Sequence, residues 1–220
     1  MKLYFPFINI PIELSQDYIV NFSIENQQCF YSSVYDLVQL DKSSNIKLLI
    51  DDKIATLSKK IETIIDFTHI SLNNKKIQTK VLSVLEEKSK ATKNFVRTQE
   101  IISLLNQYLI ELSEDLSYEV ETNEFSFGSI LKSMGLKVIE DESSSIERLV
   151  QYMDFIRDLD GEKLFVLVNL RSYFCDEDIE KFYHMSEMKK FYVLLLETVA
   201  RNKIYNEKTY ILDKDMCLIG

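Results

Sequence analysis

The chain has 220 residues, 46% of them apolar and 28% charged, with 4 glycines, 2 prolines and a net charge of −9. It is long enough to bury a substantial core as one domain or one and a half. The scarcity of glycine and proline implies long regular elements and argues against a glycine-cradled phosphate site, while the negative sum argues, as an average, against nucleic acid. Cys29, Cys175 and Cys217 are scattered and lack close His or Cys companions. They indicate neither a disulfide framework nor a zinc site, and they fit a reducing cytoplasm. The apolar start, Met1 to Pro11, carries two prolines and no small-residue cleavage site, unlike a signal peptide. No apolar run approaches the ~20 residues that cross a bilayer.

In chain order, Leu3 to Ile12 is expected as an edge strand, because its prolines cannot donate to a ladder, with Tyr18 to Ile24 as its partner. Ser23 to Leu40 has helical spacing, Asp41 to Asn45 is a turn, Ile46 to Ile50 is a short strand, and Ile61 to Leu72 has strand composition. Asn73 and Asn74 can cap a helix through Ile77, Val81, Val84 and Leu85, and a second helix runs from Phe95 to Leu112. Two adjacent helices without a strand between them indicate a helical hairpin inserted into an α/β core. Ser113 to Glu124 is an acidic loop. Ser126 or Ser129 then begins a short helix closed by Gly135, with Lys137-Val138-Ile139 extended beyond it. After the polar turn Asp141 to Ser145, a helix through Ile146, Leu149, Val150, Met153 and Ile156 stops at Gly161.

The centre of the chain is Lys163 to Glu197. Two unbroken apolar runs, Leu164 to Val168 and Phe191 to Leu196, flank an amphipathic helix. Neither run alternates with polar residues, so each is expected to be covered on both faces, as in a parallel sheet. Asp176, Glu177 and Asp178 at one end of that helix, and Lys189 and Lys190 at the other, oppose its dipole and set its limits. Thr209 to Leu212 and Met216 to Ile219 form a hairpin about Asp213-Lys214-Asp215.

Charge is unevenly placed. Between Lys42 and Arg97 there are twelve basic residues against six acids, so that window is +6 and the remainder is −15. Such separation lets one surface attract a phosphate backbone although the sum is negative. The simpler alternative is that the lysines solvate the outer faces of two helices. The acids that follow, Glu111 to Glu124, are oxygen donors of the kind calcium takes, but without EF-hand spacing.

Signals for catalysis are weak. There is no GxxxxGK[ST] and no GxSxG, and His69 and His184 stand far apart. Glu86-Glu87-Lys88 matches the ExK triplet of metal-dependent nucleases, but on a predicted helix, and Asp213 and Asp215 suit a hairpin turn without any metal.

The segment Ser129-Ile130-Leu131-Lys132-Ser133-Met134-Gly135-Leu136-Lys137-Val138, the strand Lys163 to Asn169, Val193-Leu194-Leu195-Leu196-Glu197 and Tyr210-Ile211-Leu212-Asp213 together resemble the short form of the type II-A CRISPR accessory adaptation protein. The resemblance covers nearly the whole chain through fold-level signatures. It implies an α/β fold with a P-loop-like core that lacks the nucleotide-binding loop and carries an inserted helical hairpin, with residues 1–72 and 129–220 as core and 73–128 as insert. It also implies a homotetrameric ring whose lysine-lined hole takes the ends of double-stranded DNA, stabilised by Ca²⁺. Such a protein supports spacer acquisition beside the CRISPR integrase complex and the RNA-guided nuclease, in the cytoplasm, off the membrane and without enzymatic activity. Candidates for the hole are Lys53, Lys59, Lys60, Lys75, Lys76, Lys80, Arg97 and Lys132, and candidates for calcium are Glu119, Glu121 and Glu124. Ser129 stands where relatives place a glutamate, which weakens or moves the ion. Two other functions stay open: a metal-dependent nuclease, and a scaffold whose acidic face recruits basic partners of the adaptation complex.

Overall fold

The computed structural model describes residues 1–40, 44–114, 116–118, 126–140 and 145–220. The chain divides into two compact units, Met1–Ile70 with Asp141–Gly220, and Ser71–Glu140.

The first unit is α/β. Strands β1 (Lys2–Tyr4), β2 (Ile12–Glu13), β4 (Lys47–Ile50) and β5 (Lys53–Ile54) form an antiparallel sheet in the order β2-β1-β4-β5. A larger sheet has the order β10-β9-β3-β8-β7-β6, built from β3 (Ile19–Ile24), β6 (Ile61–Ile64), β7 (Leu164–Val168), β8 (Tyr192–Glu197), β9 (Glu207–Leu212) and β10 (Leu218–Ile219). Within it β9, β3, β8, β7 and β6 are parallel, and only β10 runs against its neighbour. The parallel strand pair around Asp176–Lys189 therefore forms as its two apolar runs require. Every residue of β3 and β7 is buried.

The structure corrects the expected N-terminal hairpin. Tyr18 to Ile24 does not pair with Leu3 to Ile12; it supplies β3, which lies between β8 and β9, with Val20 opposite Leu194 and Lys208. Pro6 and Pro11 interrupt the first segment, so only Lys2–Tyr4 and Ile12–Glu13 join a ladder. The wholly buried β3 is better satisfied in the middle of a parallel sheet than at an exposed edge.

One face of the large sheet packs against the small sheet and helix α1 (Gln27–Val38). Leu3, Phe5, Ile12, Leu37 and Leu48 share one buried cluster with Val20, Phe22, Val166 and Leu194. Asn26 caps α1 by accepting from Cys29 N at 3.1 Å. The short helix α2 (Leu57–Lys60) leads directly into β6. Helices α6 (Ser145–Asp160) and α7 (Asp176–Lys189) pack on each other, burying Leu149, Met153 and Ile156 from one and Ile179, Phe182 and Tyr183 from the other. Each ends where the sequence predicts, α6 before Gly161 at φ 76° and α7 at Lys190 in the left-handed region.

Buried carboxylates among these apolar groups are hydrogen-bonded. Tyr152 of α6 donates to Glu62 of β6 at 2.9 Å. Glu207 of β9 accepts from Asn21 Nδ2 at 2.9 Å, Thr209 Oγ1 at 3.0 Å and Tyr183 Oη at 2.7 Å. Burial beside these carboxylates raises the pKa of both tyrosines, so both hydroxyls stay protonated donors. Arg171, also buried, brings a guanidinium nitrogen to 3.9 Å from Glu207 and its backbone N–H to 3.0 Å from Glu197.

The second unit is helical: α3 (Lys75–Lys90), α4 (Thr92–Ser113) and α5 (Phe127–Ser133). Asn74 caps α3 as predicted, accepting from Ile77 N at 3.0 Å. Ala91 alone separates α3 from α4, and Thr98 Oγ1 donates across the bend to Ser89 O at 3.0 Å. Thr98 is the only buried residue of α4. Ser126, rather than Ser129, caps α5. This helix packs on α3, where a Cβ on Gly128 would meet the Glu86 carboxylate at 2.6 Å. The extended piece beyond it is not a strand, and Asn73 holds it by bonds to Val138 O at 3.0 Å and from Val138 N at 2.9 Å. These interactions group residues 129–140 with the helices, where the sequence placed the end of the insert at 128.

Candidate nucleic-acid interface

The predicted basic residues fall in both units, and their local settings differ. Lys53 follows the hairpin turn Asp51-Asp52, both at positive φ as a tight two-residue turn requires. It is exposed, but the two carboxylates leave that tip with a charge of −1. Lys59 and Lys60 form the last turn of α2, at the negative end of its dipole, and Lys60 Nζ donates to Glu162 O at 3.4 Å. Lys132 likewise sits in the last turn of α5. For these three, helix electrostatics alone accounts for a cation.

Lys75 and Lys76 are different. They open α3, whose first turn contains no acid, so both charges sit at the positive end of the dipole. A cation there costs about 0.3–1 kcal/mol at low ionic strength. Both are exposed, so burial of their stems does not repay that cost. Lys80 follows Lys76 by one turn on the same face. Arg97 is exposed on α4, and Lys93, absent from the predicted set, is exposed one turn earlier on the same face. Its spacing of four from Arg97 is the signal that would have found it.

The candidate calcium ligands Glu119, Glu121 and Glu124 lie outside the described residues. Among the described residues no group of three or more His, Cys, Asp or Glu is arranged to hold a metal ion. Ser129, in the position where a carboxylate was expected, has its hydroxyl 2.8 Å from that of Ser126 and takes part in the cap of α5. Of the nuclease candidates, Glu86 and Asp213 take part in local structure. Glu86 pairs with Lys90 at 2.7 Å within α3. Asp213 accepts from the backbone N–H of Asp215 at 2.9 Å and of Cys217 at 2.8 Å, closing the β9–β10 turn. His69 is bound to Asp66 at 2.7 Å on the surface, and His184 lies against Tyr205 at 6.0 Å between ring centres.

The helical unit also leaves much apolar surface uncovered. On α4, Val96, Leu104, Tyr108, Ile110 and Leu112 are each more than half exposed, although the helix spans 22 residues. Apolar side chains exposed in this number along one helix are candidate surface for a partner. No helix among the described residues is long and apolar enough to cross a membrane.

Comparison with known proteins gives a consistent result. The model of the family "CRISPR-associated protein (Cas_Csn2)" matches residues 39–216. The CRISPR-associated protein Csn2 of Streptococcus agalactiae is 22% identical over 227 residues, covering 100% of this chain and 98% of that protein. The crystal structure of Stu0660 of Streptococcus thermophilus superposes with a TM-score of 0.60 at 15% identity, over 97% of this chain and 74% of that one, which shows a shared fold.

Proposed function

The chain belongs to the CRISPR-associated Cas_Csn2 family, and from that premise we propose that it acts in CRISPR adaptation as a non-enzymatic, sequence-independent binder of double-stranded DNA ends, working as a homotetrameric ring. The observation that carries this reading is the placement of Lys75, an exposed cation in a first turn of α3 that holds no acid, where it opposes the helix dipole. Four copies of such a basic face about one axis would concentrate phosphate contacts on a duplex while the acidic remainder keeps the assembly soluble. The uncovered apolar side chains of α4 supply surface for assembly. The P-loop-like description of the core is part of the same proposal, supported by the parallel order β9-β3-β8-β7-β6. So is Ca²⁺ held by Glu119, Glu121 and Glu124, whose oxygens have the donor chemistry that ion takes. The integrase complex and the RNA-guided nuclease are its proposed partners in the cytoplasm.

The test is a binding titration with linear duplex and with a closed circle of the same sequence, at several salt concentrations, with Ca²⁺ and with chelator. Binding to the linear form alone is expected, with affinity falling linearly on a log–log salt plot by about 0.9 per phosphate neutralised. Lys75→Glu with Lys76→Glu should weaken all sequences alike and flatten that slope by about 1 for each phosphate left without its lysine. Equal binding to the circle would remove the ring, and an unchanged slope in the variant would remove these lysines.

A further inference from the structure

We propose that the first unit holds a seat for a single unstacked nucleotide, a base with its phosphate, beside the C-terminal ends of β6 and β7. A cavity of about 320 Å³ opens there, lined by Phe67 and Thr68 after β6, Tyr173 and Phe174 after β7, and Ser145 and Arg148 in the first turn of α6. Its size is that of a small-ligand site, and it lies outside the carboxyl ends of parallel strands, where open α/β sheets place their ligands.

The lining has two kinds of chemistry. Phe67 is buried and anchors an aromatic cluster, its ring centre 5.2 Å from Tyr173 and 6.2 Å from Phe174. Tyr173 is 51% exposed, so a ring held firmly on one side still presents open π surface. Aromatic platforms of this kind stack any base and are indifferent to sequence. Arg148 brings a cation to the same cavity, with Nη2 3.5 Å from the neutral Ser145 Oγ. It stands at the positive end of the α6 dipole, which adds to its attraction for phosphate.

Among the described residues, the carboxylates adjacent in sequence do not line the cavity. Asp66 is taken up by Thr68 N at 2.8 Å, Thr68 Oγ1 at 2.6 Å and His69 at 2.7 Å, and Glu147 shares the turn of Arg148 without lining the cavity. The hydroxyl of Thr68, a residue of the cavity wall, is itself held by Asp66 at 2.6 Å and His69 Nδ1 at 2.8 Å. A nucleotide within a duplex is stacked and paired, whereas one at an overhang is not. As applied to DNA, the inference therefore rests on the end-binding reading above; a free nucleotide has the same chemistry.

The probe is 2-aminopurine, whose emission is lost on stacking, and the chain contains no tryptophan to obscure it. The full chain is titrated against a duplex with one unpaired 3′ 2-aminopurine nucleotide, the free 2-aminopurine deoxynucleoside monophosphate and the corresponding nucleoside, with blunt duplex affinity measured in parallel. Quenching of the overhang is expected, and Tyr173→Ala should weaken it about 5- to 150-fold. Tyr173→Phe should retain it, and Arg148→Ala should weaken the monophosphate but not the nucleoside. Quenching of the overhang alone assigns the seat to DNA ends, and quenching of the monophosphate as well assigns it to nucleotides from either source. Free monophosphate quenched by a protein that ignores blunt duplex would keep the seat and overturn end binding. Blunt duplex bound without quenching of any probe, or quenching unaltered by Tyr173→Ala, would overturn the seat.

Discussion

Tyr183→Phe removes one hydroxyl and almost no volume, yet it falls at the most exacting polar point of the core. The two other donors to Glu207, Asn21 and Thr209, both bond Oε1, so Tyr183 supplies the hydrogen bond to Oε2. Without it the nearest charged group to that oxygen is Arg171 Nη1 at 3.9 Å, beyond hydrogen-bonding range. The Glu207 side chain is wholly inaccessible to water, so solvent cannot replace the lost donor. Hydrogen bonds to charged groups contribute about 1.5–3 kcal/mol, so the substitution should cost about that much. In a chain of this size that corresponds to a fall in Tm of about 3–12 °C. Urea denaturation measures the loss, and amide exchange in β3 and β9 assigns it to the first unit rather than the helical one. In a Glu207→Gln background the same change should cost less by about 1 kcal/mol or more, because the charge is gone. A loss below about 0.5 kcal/mol, or an equal loss in both backgrounds, would refute the assignment of the hydroxyl to a buried carboxylate.

Three further outcomes are expected. Burial holds the pKa of Glu197 above its ordinary value, so the folded state retains its proton longer than the unfolded chain. Its destabilising contribution is absent below about pH 4.5 and grows as pH rises through the folded pKa, so Glu197→Gln should gain stability relative to wild type across that rise, as followed by urea denaturation at successive pH values. Asp66 is pulled down to about 2, first by the Thr68 hydroxyl, then by the Thr68 amide and His69. Carboxyl NMR should show that low midpoint, and Thr68→Val should return it toward 3.8; the stabilisation belongs above that value and is lost as pH falls toward 2. Asn74→Ala removes the cap bond to Ile77 N and should cost α3 about 0.5–2 kcal/mol, seen as reduced amide protection over its first turn.

Much of the local structure was legible in the residues themselves. The start of α3 at Asn74, the ends of α5 and α6 at Gly135 and Gly161, and the limits of α7 between Asp176 and Lys189 all depend on caps, left-handed residues and dipole charges within one turn of the boundary. The two apolar runs about α7 announced a covered parallel pair because neither alternates. Lys75 and Lys76 were visible as charge, but their opposition to the helix dipole became an argument only once Asn74 was seen to cap them in the first turn.

Pairing was another matter. Tyr18 to Ile24 was assigned to its neighbour in sequence, yet it pairs with β8 and β9 about 170–190 residues away, since ladder bonds carry no trace of their partner in either strand alone. Likewise Phe67 and Tyr173 meet across the ends of two parallel strands, and nothing near either residue in sequence records the other. By itself, the sequence determined where helices begin and end, which strands are buried and how charge is divided, because those depend on residues a turn apart. Which strands adjoin, which buried carboxylate receives which hydroxyl, and which rings line one cavity were decided only by the tertiary structure, because packing joins distant residues by shape and solvation once the core closes.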